Sequence, residues 1–198
     1  MPDRVNPTMI INPSTGDVII IDRLSSESKM GSKKYDKDLN FVSAYQYSAP
    51  NFDTHLSELQ LGSNNVFYGT QASGSFNTVY EMDFDLNIIW MNQYFLTLSR
   101  HTIDCLAYDS NSSSIFLSSI KAGDIYTFVI GSLSSVNGQI QYFKQVTTGE
   151  DQVRGLFVFN NYLIQHQTYT MRLVSKLNTF DLKYLFCSFE VISKFNCL

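Results

Sequence analysis

The 198-residue chain lacks most of the features by which a sequence announces an activity. It has three cysteines, Cys105, Cys187 and Cys197, with no Cys-x-x-Cys spacing. That odd count fits reduced, structural thiols better than a disulfide framework. Charged residues make up 16% of the chain, the net charge is −4, and the only basic pair, Lys33-Lys34, reads as a solvated turn. A weakly acidic chain with no basic cluster lacks the electrostatic footprint of a nucleic-acid or anionic-membrane binder. No apolar run reaches the ~18 residues that a membrane helix needs. Met1-Pro2-Asp3-Arg4-Val5-Asn6-Pro7 shows no charged-then-apolar leader pattern. The expectation is a soluble, cytoplasmic protein with no nucleic-acid partner and no membrane insertion. No segment sustains a 3.6-residue apolar period, so little helix is expected. Neither a Gly-x-Ser-x-Gly elbow nor a phosphate loop nor a dinucleotide fingerprint occurs. The sequence therefore nominates no catalytic residues and no cofactor.

What is present is a repeat. The chain is 44% hydrophobic and 14% aromatic, rich in Phe, Tyr, Val and Ile, the residues that suit pleated, half-buried surfaces. Short apolar strands opened by a turn residue begin at Asp17, Asn65, Ser114 and Asn161, spaced by 48, 49 and 47 residues. The turn Asp36-Lys37-Asp38-Leu39-Asn40 returns as Asp83-Phe84-Asp85-Leu86-Asn87 after 47 residues, and its core returns again as Asp181-Leu182-Lys183. Val136-Asn137-Gly138-Gln139 fills the same slot in the third unit, where Asn-Gly signals a short hairpin because both residues tolerate positive φ. A third landmark is the strand before each turn: Lys34-Tyr35, Val79-Tyr80, Ile125-Tyr126 and Met171-Arg172-Leu173. A fixed period in the range ~20–50 residues, with about four strands per unit, points to the blades of a β-propeller. Such a blade buries its apolar faces only against its neighbours, so the units must stack.

The expected fold is thus all-β, one domain over residues 1–198, with about four antiparallel four-stranded blades. The units fall at about 8–49, 50–98, 99–149 and 150–190, with 191–198 a tail or the start of a further blade. Four blades could close a small ring or form part of a larger propeller, and an open stack would leave edges able to self-associate. Within the first unit, the Ser-rich Arg23–Ser32 stretch predicts an exposed loop.

Two families resemble these units. The order His101, an apolar strand, Ile115-Phe116-Leu117-Ser118-Ser119, then Gly123-Asp124 and an aromatic strand is similar to a diverged tryptophan-aspartate (WD) repeat. Thr127-Phe128-Val129 stands where that family closes its unit with Trp-Asp. The Asp-x-Asp-Leu-Asn turn followed by Ile88-Ile89-Trp90 resembles quinoprotein-like propeller repeats instead. Both resemblances imply propeller architecture and neither implies a chemistry.

Several residues invite a sharper reading. Asp83, Asp85 and Asn87, like Asp36, Asp38 and Asn40, open as a calcium loop would. Such a loop needs a following Gly and a Glu at its twelfth position, where Ile88 and Tyr94 stand. A hairpin turn explains the same residues, so they remain only weak metal candidates. His55 and His101 precede the first strands of successive units, and His166 lies apart from both. No His/Cys cluster accompanies them, and blade-edge hydrogen bonding is the expected role. Glu150-Asp151 and Asp104/Asp109 offer carboxylates, although an acid–base pair requires convergence in space. Trp90, the single tryptophan, is expected to be a packing anchor between blades. Asn111-Ser112-Ser113 is the one glycosylation sequon.

The function expected from this set is a non-catalytic propeller scaffold that binds a protein partner. Two alternatives belong to other classes. A quinoprotein-like or hydrolase-type enzyme would need His55, His101, Glu150 and Asp151 to converge at the channel mouth. A secreted or cell-surface adhesion module would need a Cys187–Cys197 bond.

Overall fold

A computed structural model of the chain describes residues 7–24, 29–48, 55–73, 76–95, 101–121, 127–147, 153–159, 162–167, 171–176 and 188–189. Every regular element among them is a strand. The first sheet holds β1 (Thr8–Ile11), β2 (Val18–Leu24), β3 (Lys29–Tyr35) and β4 (Phe41–Ser48). The second holds β5 (His55–Leu61), β6 (Val66–Ser73), β7 (Phe76–Asp83) and β8 (Ile88–Phe95). The third holds β9 (His101–Asp109), β10 (Ser114–Lys121), β11 (Thr127–Ser134) and β12 (Ile140–Thr147). The fourth holds β13 (Val153–Phe159), β14 (Tyr162–Gln167), β15 (Met171–Lys176) and the short β16 (Ser188–Phe189). Each sheet is an antiparallel meander with its strands in chain order.

The turns explain why the chain reverses where it does. Asp36 and Asp83 each accept two backbone N–H groups through Oδ1, from Asp38 and Asn40 at 2.9 and 2.8 Å and from Asp85 and Asn87 at 2.9 and 2.8 Å. Their Oδ2 atoms accept the Asn40 and Asn87 side-chain amides. A leucine holds the left-handed position of each turn, Leu39 at φ 64° and Leu86 at φ 69°. This is a three-residue hairpin in which a left-handed residue restores the strand twist. A second class of turn is one residue longer and uses glycine there. Gly16 (φ 80°) donates to the Asn12 carbonyl, and Gly138 (φ 70°) donates to the Ser134 carbonyl.

The sheets stack in series as blades. The first strands are neighbours, β1 beside β5, β5 beside β9 and β9 beside β13, so they line the inner side of the stack. Ile10, Ile19, Ile21 and Met30 of the first blade pack with Phe67, Tyr80, Met82, Phe84 and Leu86 of the second. Val66, Tyr68, Val79 and Tyr94 of the second pack with Ile103, Leu106, Ile115, Leu117 and Leu133 of the third. Cys105, Ala107 and Ile130 meet Leu156 and Leu163 of the fourth. Among the described residues no contact joins the first sheet to the fourth.

Some local expectations are corrected. Arg23–Ser32 does not form a loop throughout: β2 runs to Leu24, β3 starts at Lys29, and Met30 and Ser32 are fully buried. Their polar, Ser-rich context hid an alternation that presents Met30, Ser32 and Lys34 to the second blade. Lys33 and Lys34 are likewise strand residues with ion-pair partners, not a solvated turn. Only Gly138, not Asn137, takes positive φ in the third blade's turn. Ile125-Tyr126 lies outside the described residues, and the third strand of that blade is described from Thr127.

Candidate interaction face

In a meander the turn between strands one and two and the turn between strands three and four lie at one end. Polar bonds across the blade seams gather around these turns. Asn12 Nδ2 of the first blade donates to Asn65 Oδ1 of the second at 2.8 Å. Lys34 Nζ pairs with Asp85 at 2.9 Å across the same seam, and with Asp17 of its own blade at 3.3 Å. Burial works against the Lys34 charge, but the bonds to Asp85 and Asp17 outweigh it and hold its pKa above the ordinary lysine value. The next seam repeats the plan with other groups. Ser63 Oγ and the Tyr108 hydroxyl lie 2.7 Å apart, and Asn92 Nδ2 donates to the Asn137 carbonyl at 2.8 Å.

Two tyrosines show the repeat at the level of single bonds. Tyr47, next to last in β4, donates to the Leu86 carbonyl of the second blade's turn. Tyr94, next to last in β8, donates to the Gly138 carbonyl of the third blade's turn. Each therefore ties the end of an outer strand to the left-handed residue of the following blade. Burial pushes the Tyr94 hydroxyl up to about 12, with a bond to Asn92 pulling the other way.

Trp90 is the packing anchor expected of it. Its indole Nε1 donates to Glu81 Oε2 at 2.5 Å and to the Ser135 carbonyl of the third blade at 3.0 Å. Burial raises the Glu81 carboxyl above its ordinary value of 4.5, and the indole donor pulls it partly back. Because the folded-state pKa is the higher one, the penalty for the charge is absent below 4.5 and grows as pH rises through the raised value. Glu81→Gln keeps an oxygen for the indole and removes the charge. It is expected to melt above the parent at neutral pH and level with it at about pH 4. A gain of equal size at both pH values would show that the buried charge is not its source.

In the core between the first two blades, a buried polar group has no partner among the described residues. The Tyr80 ring is fully buried across from Gly69, where an added Cβ would lie 2.2 Å from the ring, and its hydroxyl makes no hydrogen bond. Burying an unsatisfied hydroxyl costs ~1–3 kcal/mol. Tyr80→Phe is expected to be neutral or to stabilise by ~1 kcal/mol in urea denaturation, whereas a loss of stability would reveal an unseen partner.

The weak metal candidates sit inside these turns. Both Asp83 oxygens are taken by the Asp85, Asn87 backbone and Asn87 side-chain donors, and Asp85 Oδ1 is taken by Lys34. Among the described residues no three His, Cys, Asp or Glu side chains gather as metal ligands would. His55 and His101 open β5 and β9, in register with Ala72 and Lys121, and His166 lies in β14 opposite Gly155 and Met171. Asp104 lies within β9. Asp109, buried at the end of that strand, accepts from Asn111 N at 3.1 Å and Ser112 Oγ at 2.6 Å, so it too shapes a turn. The sequon residue Asn111 is exposed in that turn. Glu150, Asp151, Cys187 and Cys197 lie outside the described residues. No helix of the described chain is long and apolar enough to cross a membrane.

Sequence reasoning did not single out a set of exposed apolar side chains around the turn into the fourth strand of three successive blades. Leu39 (69% exposed) and Val42 (51%) lie in the turn and at the start of β4, Ile89 (52%) at the start of β8, and Val136 (75%) and Ile140 (55%) around the start of β12. The carboxylates Asp38 and Asp85 are exposed at the turns beside them.

The architecture places the chain among known folds. No protein-family model matches it, and no curated protein matches it in sequence. Among solved structures, the β-propeller domain of Cps50 (Swd1) from Myceliophteria thermophila superposes with a TM-score of 0.56 at 6% identity, over 83% of this chain and 49% of that one. The Dos1 propeller superposes with a TM-score of 0.57 at 9% identity, over 87% of this chain and 45% of that one. At such identities the likeness shows the fold alone. The fold is that of a β-propeller, and the chain spans about half the length of each of these two propellers.

Proposed function

We propose that the chain is a non-catalytic propeller scaffold that binds a protein partner across the outer corner of its first three blades. The observation that carries this reading is the set Leu39, Val42, Ile89, Val136 and Ile140, each more than half exposed and each in, or within the first two residues after, the turn that leads into its blade's fourth strand. Single exposed apolar residues are ordinary, but a set gathered at the turn end of successive blades is what an interface core with a polar rim requires. Asp38 and Asp85 at its margin suit a partner that brings apolar side chains with basic neighbours. Rigid blades hold the turns in place, so little ordering entropy opposes binding.

The test compares affinity capture by the parent with capture by a Leu39→Asp, Val136→Asp, Ile140→Asp triple variant, read by quantitative mass spectrometry. Each replaced side chain is exposed, so the melting transition should be unchanged. The expected result is a reproducible set of proteins bound by the parent and lost from the folded variant. Identical sets from both would overturn the reading.

A further inference from the structure

We propose that Asn137 is a self-modifying site: its own backbone converts it to isoaspartate at a rate set by the seam between the second and third blades, and the product opens that seam. Asn137 is the only asparagine of the chain followed by glycine. The chemistry needs such a pair. The Gly138 backbone nitrogen attacks Asn137 Cγ, the Cγ–Nδ2 bond breaks, and ammonia leaves with the proton that the Gly138 nitrogen gives up. Water then opens the cyclic imide at either of its two carbonyls, leaving aspartate or isoaspartate. A Cβ on the following residue hinders the ring closure, and glycine has none. Asn137 is exposed, so water reaches it.

The folded turn occupies both reacting groups. Gly138 N donates to the Ser134 carbonyl at 2.8 Å, and the residue is buried against Trp90 and Asn92 of the second blade. A buried, hydrogen-bonded N–H resists the loss of its proton that the attack requires. Asn137 Oδ1 accepts from Gln139 N at 3.0 Å, which fixes the side chain. The Asn137 carbonyl accepts from Asn92 Nδ2 across the seam at 2.8 Å. The reaction therefore proceeds from the fraction of molecules in which the turn has opened, and the seam bonds set that fraction.

The product acts back on the seam. Isoaspartate carries the main chain through Cβ and Cγ, which lengthens it by one methylene between residue 137 and Gly138. The carbonyl that Asn92 reaches becomes a free carboxylate off the main chain, and the Gly138 carbonyl that Tyr94 reaches is displaced with its residue. Two of the polar bonds between the second and third blades are lost in one irreversible step. The turn is thus a one-way timer on this seam. The inference does not rest on the proposed partner-binding corner.

The test incubates the purified chain and a synthetic peptide of residues 132–142 side by side at mildly alkaline pH. Mass spectrometry follows the peptide and, after trypsin, the fragment 122–144, in which Asn137 is the only asparagine. Conversion is expected in both, slower in the folded chain by at least about tenfold. Asn92→Ala is expected to convert about fivefold faster than the parent, the factor that one lost hydrogen bond gives. The isoaspartyl fraction, separated by anion exchange, is expected to melt below fresh protein. If Asn92→Ala loses its fold, the ratio of parent to peptide and the melting of the isoaspartyl fraction still decide the matter. Equal rates in chain and peptide, or a chain still unconverted when the peptide is exhausted, would overturn the proposal. So would a folded Asn92→Ala no faster than the parent, or an isoaspartyl fraction that melts with fresh protein.

Discussion

Gly138→Ala is expected to destabilise the protein by about 3 kcal/mol, two to three times the cost of Gly16→Ala. Both glycines hold the left-handed position of the longer turn, at φ 70° and φ 80°. An alanine there pays roughly 1–2 kcal/mol for its conformation. The surroundings make the difference. A Cβ on Gly16 would meet only Lys37 Cβ, at 3.0 Å. On Gly138 it would lie 2.4 Å from Asn92 Nδ2 and 2.6 and 2.8 Å from the Trp90 ring, both on the second blade. The Asn92 amide can swing aside, but the indole is held by its bonds to Glu81 and Ser135. Moving it disturbs the Asn92–Asn137 and Tyr94–Gly138 bonds of the same seam. Urea denaturation of the two single variants measures the contrast. Combining Gly138→Ala with Trp90→Ala should cost less than the two changes separately, because the obstacle is gone. Equal costs for Gly16→Ala and Gly138→Ala would mean that the seam has slack there.

The repeat was legible because its turns make demands that few residues meet. Asp36 and Asp83 fold back on their own backbone, and a side chain that does this leaves the same signature wherever the turn recurs. All-β architecture and stacking followed from that period. The facing of each strand did not. Matching the opening residues of β2 and β6 sets Val18 on Val66, yet pairing with Tyr35 and Met82 makes Val18 the counterpart of Phe67. A slip of one residue exchanges the two faces of a strand, and a landmark search by turn cannot see it. The seam bonds were hidden for a different reason. Tyr47 and Leu86, or Trp90 and Ser135, are 39 and 45 residues apart, and only the stacking of blades brings them together. The offset of 47 residues between Tyr47 and Tyr94 was a signal that could have been read. The exposed corner was not readable, because an apolar residue at a strand start looks the same whether the next blade covers it or water does.

The paired leucines turn that last point into a measurement. Leu39 and Leu86 occupy one position of one turn, with nearly equal φ, and differ in what surrounds the side chain. Leu86 is 2% exposed, packed in the core between the first two blades, whereas Leu39 is 69% exposed. Glycine at either site relieves ~1–2 kcal/mol of left-handed strain. It also gives the unfolded chain more freedom, which returns ~0.5–1 kcal/mol. Leu39→Gly is therefore expected to be neutral or to stabilise by up to ~1 kcal/mol. Leu86→Gly keeps the same backbone relief but empties a core site, at a cost of ~2–5 kcal/mol for the lost side chain. The expected difference between the two variants is about 3 kcal/mol in urea denaturation, with Leu86→Gly the less stable. Were the two to shift alike, the turn would be governing stability through its backbone alone. The separation expected here instead makes the same five-residue motif a solvent-facing tip in one blade and a wedge between blades in the next. Leu39 is then available to a partner, and Leu86 is committed to the seam between the first two blades.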